Sequence, residues 1–178
     1  YSPDKDILDV VSGLNTGFQD LLNKTKYKLK PDQIILLGGS FGGPAQLLSS
    51  LDKRIDKVIT FAPLIDWRKL GKDEPIHLLK KYFPDAYGQG YRTVKNGWDK
   101  LKTGKFYNPI LKADIIDGKK IVVIHAKDDN SCPYNQSKIF AQKTGAKLVT
   151  LKTGGHLGTS LMLKPRFYKI FDKFVNSK

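Results

Sequence analysis

Ser40 stands in a segment whose residue types predict a nucleophile. Residues 38–42 read Gly-Gly-Ser-Phe-Gly and fit the pattern G-x-S-x-G. A short apolar run precedes the segment and a stretch that favours helix follows it, which is the context that the pattern requires. So tight a turn forces the serine into a strained backbone conformation, and side chains beside it would clash, which explains the glycines. The alternative interpretation is a glycine-rich turn with a capping serine.

A serine hydroxyl needs a base to take its proton before it can attack a carbonyl carbon. His156 lies among glycines in residues 153–158 (Thr-Gly-Gly-His-Leu-Gly), just after a predicted strand. Loops at the carboxyl ends of parallel strands build the sites of open α/β sheets, so His156 is the predicted base and an exposed loop histidine is the alternative. His77 is expected at the surface, and His125, at a strand end, is expected to be structural.

The imidazole in turn needs a carboxylate that holds its tautomer and stabilises its charge. Asp128 and Asp129 follow the strand that ends near His125, and Asp66 follows an earlier predicted strand. The order serine, aspartate, histidine along the chain is one in which such triads occur. The residue types alone leave all three aspartates open.

Alternating apolar and amphipathic segments predict the elements that position these residues. Apolar runs predict buried strands at residues 33–37, 57–61, 120–125 and 147–151. Apolar residues at helical spacing predict helices from Pro3 to about Leu22 and at residues 44–50, 76–82, 134–144 and 159–176. The last helix should turn six apolar residues inward: Leu161, Leu163, Phe167, Ile170, Phe171 and Phe174. Because strands and helices alternate, the predicted fold class is α/β, with a mostly parallel sheet and helices on both faces.

The composition fits one globular domain. The 178 residues are 40% hydrophobic and 27% charged, and domains commonly hold about 100–200 residues. No apolar run approaches the roughly 20 residues of a membrane span. A single cysteine excludes a multi-cysteine zinc site and an intramolecular disulfide framework. No secretory signal opens the chain, so a cytoplasmic location is expected; because the chain starts at Tyr1 rather than Met, a removed signal is the alternative.

The basic charge is a separate feature of the sequence. The formal net charge is +14 and the pI is near 9.7, values typical of proteins that bind nucleic acids or anionic surfaces. The lysines, however, are spread along the chain rather than gathered into a tail. A solvated basic surface is therefore the favoured interpretation, and a nucleic-acid-binding module is the alternative.

Taken together, these segments resemble the α/β-hydrolase superfamily. Residues 38–43 resemble its nucleophile elbow, and Gly155-His156 resembles its histidine loop. Residues 125–133 (His-Ala-Lys-Asp-Asp-Asn-Ser-Cys-Pro) resemble its acid loop, H-G-x-x-D-x-x-V-P, which puts the acid at Asp129 and replaces the usual valine by Cys132. Residues 61–67 (Phe-Ala-Pro-Leu-Ile-Asp-Trp) are similar to a segment of prolyl-oligopeptidase-like enzymes, and related carboxylesterases have similar strings.

The resemblance implies a serine hydrolase that cleaves an ester or a peptide bond through an acyl-enzyme intermediate. Ser40 would be the nucleophile, His156 the base and Asp129 the residue that orients it, while the N–H of Phe41 would help to hold the oxyanion. The resemblance implies no cofactor and no metal. The expected partner is a small-molecule ester or a peptide, with no nucleic acid. The alternative is a non-catalytic member of the fold that binds a ligand.

The resemblance also implies that this chain is the carboxyl-terminal part of one hydrolase domain. Its four predicted strands match the fifth to the eighth of the superfamily, which would leave residues 33–37 at an apolar edge of the sheet. No H-G-G-type string that could supply the second oxyanion donor precedes Ser40. Residues 64–118 lie where the superfamily inserts a lid, whose aromatic residues either line a pocket or pack onto the core. Trp67, nearest a strand end, is the predicted substrate-binding residue.

Overall fold

The computed structural model describes residues 2–87, 96–156 and 164–177. Its strands are β1 (Phe18–Gln19), β2 (Lys26–Tyr27), β3 (Ile35–Gly39), β4 (Lys57–Phe61), β5 (Ile121–Ala126) and β6 (Lys147–Leu151). Its α-helices are α1 (Pro3–Thr16), α2 (Gly43–Ser49), α3 (Ile76–Tyr87), α4 (Gly97–Lys102), α5 (Tyr134–Thr144) and α6 (Pro165–Val175). Strands β3 to β6 form one parallel sheet in chain order, which confirms the predicted fold class.

The carboxyl ends of the four parallel strands lie side by side along one edge of the sheet, which runs across the strands. Gly39 pairs in register with Phe61, Phe61 with Ile124, and Ala126 with Leu151. The loops that carry the predicted serine, aspartate and histidine follow β3, β5 and β6, so they all leave the sheet at this edge, where open α/β sheets bind their ligands.

Two apolar layers hold the helices against the sheet. One layer joins α1, α2 and α5 to the first face, and its buried members include Leu47, Val58, Val123 and Phe140. The other joins α6 to the opposite face, with Ile59, Val122, Ile124 and Phe167 buried. Neighbouring residues of β5 enter different layers because side chains of a strand alternate between its faces. The two layers fix the strand ends, and with them the loops.

Helix α6 buries the residues predicted for it, as far as the structure describes them. Phe167 is buried, and Ile170, Phe171 and Phe174 pack beside it against the sheet. The first part of the predicted helix, with Leu161 and Leu163, lies outside the described residues. No helix in residues 2–87, 96–156 and 164–177 is long and apolar enough to cross a bilayer.

The prediction that α1 continues to Leu22 is wrong. The helix ends at Thr16, where Gly17 adopts a φ of 103° and donates its N–H to the Gly13 carbonyl. A positive φ of this kind is available to glycine and ends a helix. The chain then forms the small antiparallel pair β1–β2, and Leu21 and Leu22 are 80% and 89% exposed instead of joining a helical apolar face.

Strand β3 forms one edge of the sheet, as the resemblance implied. It begins at Ile35 rather than Gln33, since the N–H of Ile34 donates to the carboxylate of Asp56 at 2.7 Å. The first interpretation of a strand buried on both faces is wrong, because Leu37 is 58% exposed. The sheet therefore presents an apolar edge beside the segment that leads to the serine.

The described residues of the segment 64–118, which are 64–87 and 96–118, contain the α-helices α3 and α4. The predicted helix at 76–82 is present and extends to Tyr87, and α4 is a helix that the sequence analysis did not predict. Aromatic and aliphatic residues of the segment 64–118, together with Cys132, form a third apolar cluster. Its buried members are Leu64, Trp67, Leu79, Trp98 and Cys132. Since Cys132 belongs to the loop after β5, this cluster joins the segment to the edge of the sheet where the candidate site lies.

Candidate active site

Ser40 lies where β3 ends, in a left-handed backbone conformation with a φ of 51°. Such a conformation costs a residue other than glycine on the order of 1–3 kcal/mol and persists only where its surroundings fix it. Part of that constraint comes from the N–H of Leu64, which donates to the Ser40 carbonyl at 3.0 Å. The predicted backbone strain at Ser40 is confirmed.

Glycines beside this serine let neighbouring segments approach closely. A Cβ on Gly39 would meet the carbonyl oxygen of Phe61 in β4, and one on Gly43 would lie 2.5 Å from the Cβ of Pro63. A Cβ on Gly42, by contrast, would meet nothing within 4 Å. Gly39 and Gly43 are therefore required by space, and a Cβ on Gly38 would meet the amide of Gln46. The space around Gly42 would admit a side chain, so the predicted clash is absent there.

Three side chains from three loops form a hydrogen-bonded chain. The Ser40 Oγ lies 2.8 Å from Nε2 of His156, and Nδ1 of His156 lies 2.8 Å from Oδ2 of Asp129. When Nδ1–H donates to the carboxylate, Nε2 keeps a lone pair that can accept the serine proton. The structure thus brings together the serine, histidine and aspartate that the sequence analysis selected.

The Asp129 side chain is fully buried and still held as a carboxylate. The backbone N–H groups of Ser131 and Cys132 donate to its Oδ1 at 2.8 and 2.9 Å. Burial raises the pKa of Asp129, but hydrogen bonds from His125, His156 and the Cys132 backbone outweigh it and hold the pKa well below its usual range. A fixed negative charge therefore faces the His156 ring.

The His156 side chain is partly open to solvent, with 18% of it exposed. Burial lowers the pKa of His156, but the hydrogen bond and charge of Asp129, helped by the charge of Glu74, outweigh it and leave the pKa raised. A base with a pKa near the working pH transfers protons efficiently in both directions. His156 therefore has the electrostatic surroundings of a base that must hold a proton for part of a reaction.

The other two candidate aspartates lie elsewhere. Asp128 accepts the N–H of Gly155 at 2.9 Å and that of Gly154 at 3.2 Å, so its carboxylate contacts the histidine loop through the backbone. Asp66 is buried and bound to the guanidinium of Arg68 at 2.7 Å and the amide of Asn108 at 3.1 Å. The structure brings only Asp129 of the three to the His156 ring.

The remaining histidines differ sharply in their surroundings. His77 is exposed, as expected. His125 is 1% exposed and places Nε2 only 3.0 Å from Oδ2 of Asp129, the same oxygen that His156 contacts. Sequence reasoning missed this contact, because core packing explains a buried histidine at a strand end equally well.

Phe41 and Trp67 connect the serine to the aromatic cluster. Their rings stack with centroids 5.5 Å apart. Trp67 is only 5% exposed, and its indole N–H donates to the Tyr107 carbonyl at 2.8 Å. Trp67 also borders a cavity of about 330 Å³ whose lining does not include Ser40. Among the described residues it therefore reaches the serine's surroundings mainly through the Phe41 ring.

Two more groups lie beside the serine and histidine. The Cys132 thiol hydrogen-bonds to Ser40, while burial and the charges of Asp129 and Glu74 raise its pKa far above the usual range. Glu74 has a buried Oε2 with no hydrogen-bond partner among the described residues. The thiol is thus held neutral, and Glu74 adds a second negative charge near His156.

Known proteins share this architecture. The sequence model of the prolyl oligopeptidase family matches residues 14–177. An uncomplexed acylaminoacyl peptidase from Pyrococcus horikoshii is 19% identical with a TM-score of 0.63, over 98% of this chain and 28% of that one. An esterase from Pyrococcus furiosus is also 19% identical with a TM-score of 0.63, over 97% of this chain and 62% of that one.

A third similar structure is the ydeN gene product of B. subtilis, which is 19% identical with a TM-score of 0.51 over 98% of this chain and 76% of that one. No curated protein sequence matches the chain significantly. The chain spans little more than a quarter of the acylaminoacyl peptidases and so covers only part of the hydrolase fold. The family match over nearly the whole length shows that the chain belongs to the prolyl oligopeptidase family, within the α/β-hydrolase serine hydrolases.

Proposed function

We propose that the protein containing this chain is a serine hydrolase that cleaves an ester or a peptide bond through an acyl-enzyme intermediate. The observation that carries the proposal is the hydrogen-bonded chain from Ser40 Oγ to His156 to Asp129, with 2.8 Å at each step. A serine is a weak nucleophile unless a positioned base takes its proton, and this geometry supplies such a base with an orienting carboxylate.

In the first half of the reaction, Ser40 Oγ attacks the substrate carbonyl carbon while its proton moves to Nε2 of His156. The carbonyl oxygen becomes an oxyanion, and Asp129 stabilises the imidazolium that has formed. As the carbonyl re-forms, the bond to the leaving oxygen or nitrogen breaks, and the Nε2 proton passes to that atom. The alcohol or amine departs and leaves the acyl group on Ser40.

In the second half, water attacks the acyl carbon and gives a proton to Nε2 of His156. The ester bond to Ser40 breaks, the Nε2 proton returns to Oγ, and a carboxylic acid is released. We assign one oxyanion donor to the N–H of Phe41, the residue after the serine, as G-x-S-x-G enzymes use it. Each oxyanion donor contributes a factor of about 10²–10³ to the rate. The rate of the full-length protein therefore also depends on the second oxyanion donor.

We further propose that the chain forms part of one hydrolase domain. Residues 64–118 act as the lid of that domain and help to select the substrate. Supporting contacts are the Phe41–Trp67 stack and the Gly71 N–H, which donates to the Ser131 carbonyl in the acid loop at 2.8 Å. Trp67 would contribute to substrate binding by supporting the Phe41 ring. Acylaminoacyl peptidases and an esterase are both among the similar structures, so acylated peptides and simple esters are the substrate classes to compare.

A fluorophosphonate reagent tests this function directly, because it phosphonylates only a serine that a neighbouring base activates. The full-length protein should be labelled at Ser40, as located by peptide mass spectrometry, and should hydrolyse p-nitrophenyl esters or aminoacyl amides. Ser40→Ala should abolish both, while Ser12→Ala, which changes an exposed serine of α1, should leave both unchanged. A folded protein that is not labelled at Ser40, or one whose hydrolysis survives Ser40→Ala, would overturn the proposal.

A further inference from the structure

His125 is a buried histidine that contacts Asp129 of the candidate site. It lies near the end of β5 with its side chain fully enclosed. Its Nδ1 is 2.7 Å from the Ser137 hydroxyl on α5. Its Nε2 is 3.0 Å from Oδ2 of Asp129 and 2.8 Å from the Cys132 carbonyl. Every polar atom of the ring therefore has a partner.

These partners determine where the His125 proton lies. A carboxylate and a carbonyl can only accept hydrogen bonds, so Nε2 must carry a proton. The Ser137 hydroxyl can donate to Nδ1, and this completes the ring as a neutral imidazole. A neutral ring also fits the charges present, because one carboxylate at Asp129 would otherwise face two cationic imidazoles whenever His156 takes up a proton.

Two imidazoles consequently share one carboxylate oxygen. His125 and His156 both contact Oδ2 of Asp129, at 3.0 and 2.8 Å, while two backbone N–H groups hold Oδ1. We propose that His125 is a positioning residue, which fixes Oδ2 of Asp129 against His156 and draws off part of its negative charge. This proposal rests on the proposed function, since it assigns a role within the same reaction.

The position of that oxygen matters because the His156 ring must point at Ser40 to within hydrogen-bonding geometry. Displacing a reacting group by about 1 Å can cost on the order of 100-fold in rate. The donor also has an electrostatic effect. Without the N–H of His125, more of the carboxylate charge would act on His156, and its imidazolium would hold its proton more tightly.

The surroundings of both rings define what a pH measurement reports. In the part of the chain that the structure describes, the charged groups that act on His156 are Asp129 and Glu74. Among the described residues, the charged group at His125 is Asp129, and its uncharged neighbours are the Cys132 carbonyl, the Ser137 hydroxyl and Tyr134, whose ring lies edge-on at 5.8 Å between centroids. Removing His125 leaves Glu74 in place, so a change in the acid limb of activity would come through Asp129.

Substitutions of His125 in the full-length protein test this role. His125→Leu should lower kcat/KM for a p-nitrophenyl ester by roughly 10- to 100-fold and shift the acid limb of its pH profile to higher pH. His125→Gln places an amide N–H near the former Nε2 and should recover most of the rate and the wild-type limb. Ser137→Ala should give a smaller shift in the same direction, because the ring then loses the donor that fixes its tautomer.

The outcomes separate this proposal from the proposed function. A wild-type protein that is not labelled at Ser40 would refute the hydrolase itself. A wild-type protein that is labelled, with a folded His125→Leu variant that keeps the wild-type rate and acid limb, would refute only the positioning role. If His125→Leu does not fold, the test passes to His125→Gln and Ser137→Ala. A slower Ser137→Ala with its limb at higher pH supports the role, and a Ser137→Ala variant with the wild-type rate and limb contradicts it.

Discussion

The carboxylate of Asp128 accepts the backbone N–H of Gly155 at 2.9 Å. It also accepts the N–H of Gly154, while the neighbouring Asp129 contacts the His156 ring. The loop after β5 therefore holds the loop after β6 twice, once through its backbone and once through its imidazole. Two adjacent aspartates divide the work, since one restrains the loop and the other orients the ring.

Asp128→Ala should lower kcat/KM by about 10-fold, because the histidine loop loses two hydrogen bonds and His156 becomes less well placed. Thermal stability should change little, since the side chain lies in solvent-exposed surroundings. Ester hydrolysis and a thermal melt of the full-length protein measure the two effects. Asp114→Ala, which removes another exposed aspartate, is the control and should change neither. An Asp128→Ala variant with wild-type kcat/KM would show that the loop is held by other contacts.

Asp129→Asn should lower activity, whereas Asp66→Asn should lower stability. The first replaces a buried carboxylate that faces His156 and should lower kcat by about 10³–10⁴, because an amide cannot hold the required tautomer and charge. The second removes the charge that pairs with Arg68 and Asn108 and should lower the free energy of unfolding by about 1–3 kcal/mol with kcat nearly unchanged. Steady-state kinetics and urea unfolding on both variants decide the matter. Loss of kcat in Asp66→Asn, with a stable and active Asp129→Asn, would move the acid to Asp66.

The site could be predicted largely from the sequence because its residues follow the ends of parallel strands. Each strand can be recognised from a local apolar run. Because the carboxyl ends of parallel strands lie together, the loops that follow them lie together as well. Ser40 and His156 could therefore be brought together without knowing any long-range contact, whereas the choice of Asp129 over Asp128 and Asp66 came from the resemblance to the hydrolase acid loop. The crowding predicted beside the serine is found at Gly39, where an added Cβ would meet the Phe61 carbonyl oxygen, but not at Gly42.

Other features depend on contacts that local patterns do not contain. Helix α1 ends at Thr16, just before Gly17, although apolar residues continue at helical spacing to Leu22, and both Leu21 and Leu22 are exposed. Strand β3 starts two residues later than predicted because the N–H of Ile34 donates to the side chain of Asp56, which is 22 residues away in the sequence. The pairing of His125 with Asp129 was missed for a different reason, since a buried histidine at a strand end has an equally good explanation as core packing.

Glu74 should set part of the pH dependence of activity. The reaction needs neutral His156, so activity rises as pH increases through the pKa of this histidine, which lies above its ordinary value. Glu74 is one of the negative charges that raise that pKa. Glu74→Gln should therefore move the acid limb of kcat/KM to lower pH, with little change on the plateau above it.

Asp73→Asn is the matched control for this measurement. It removes the same charge one residue earlier, from an exposed side chain of the same loop, where solvent screens the interaction. Its acid limb should lie where the wild-type limb lies. Equal shifts in both variants would mean that the net charge of the loop matters rather than the position of Glu74.

Gly39 and Gly42 offer a paired test of the turn around Ser40. Gly39→Ala should lower the free energy of unfolding by about 1–3 kcal/mol, because its Cβ would meet the Phe61 carbonyl oxygen and force β3 away from β4. Activity should fall with it, as the displaced strand carries Ser40 away from His156. Gly42→Ala meets open space at a φ of −74° and should change stability by less than about 1 kcal/mol. Urea unfolding and fluorophosphonate labelling of both variants measure this, and equal losses in the two would show that the turn needs glycine for flexibility rather than for space.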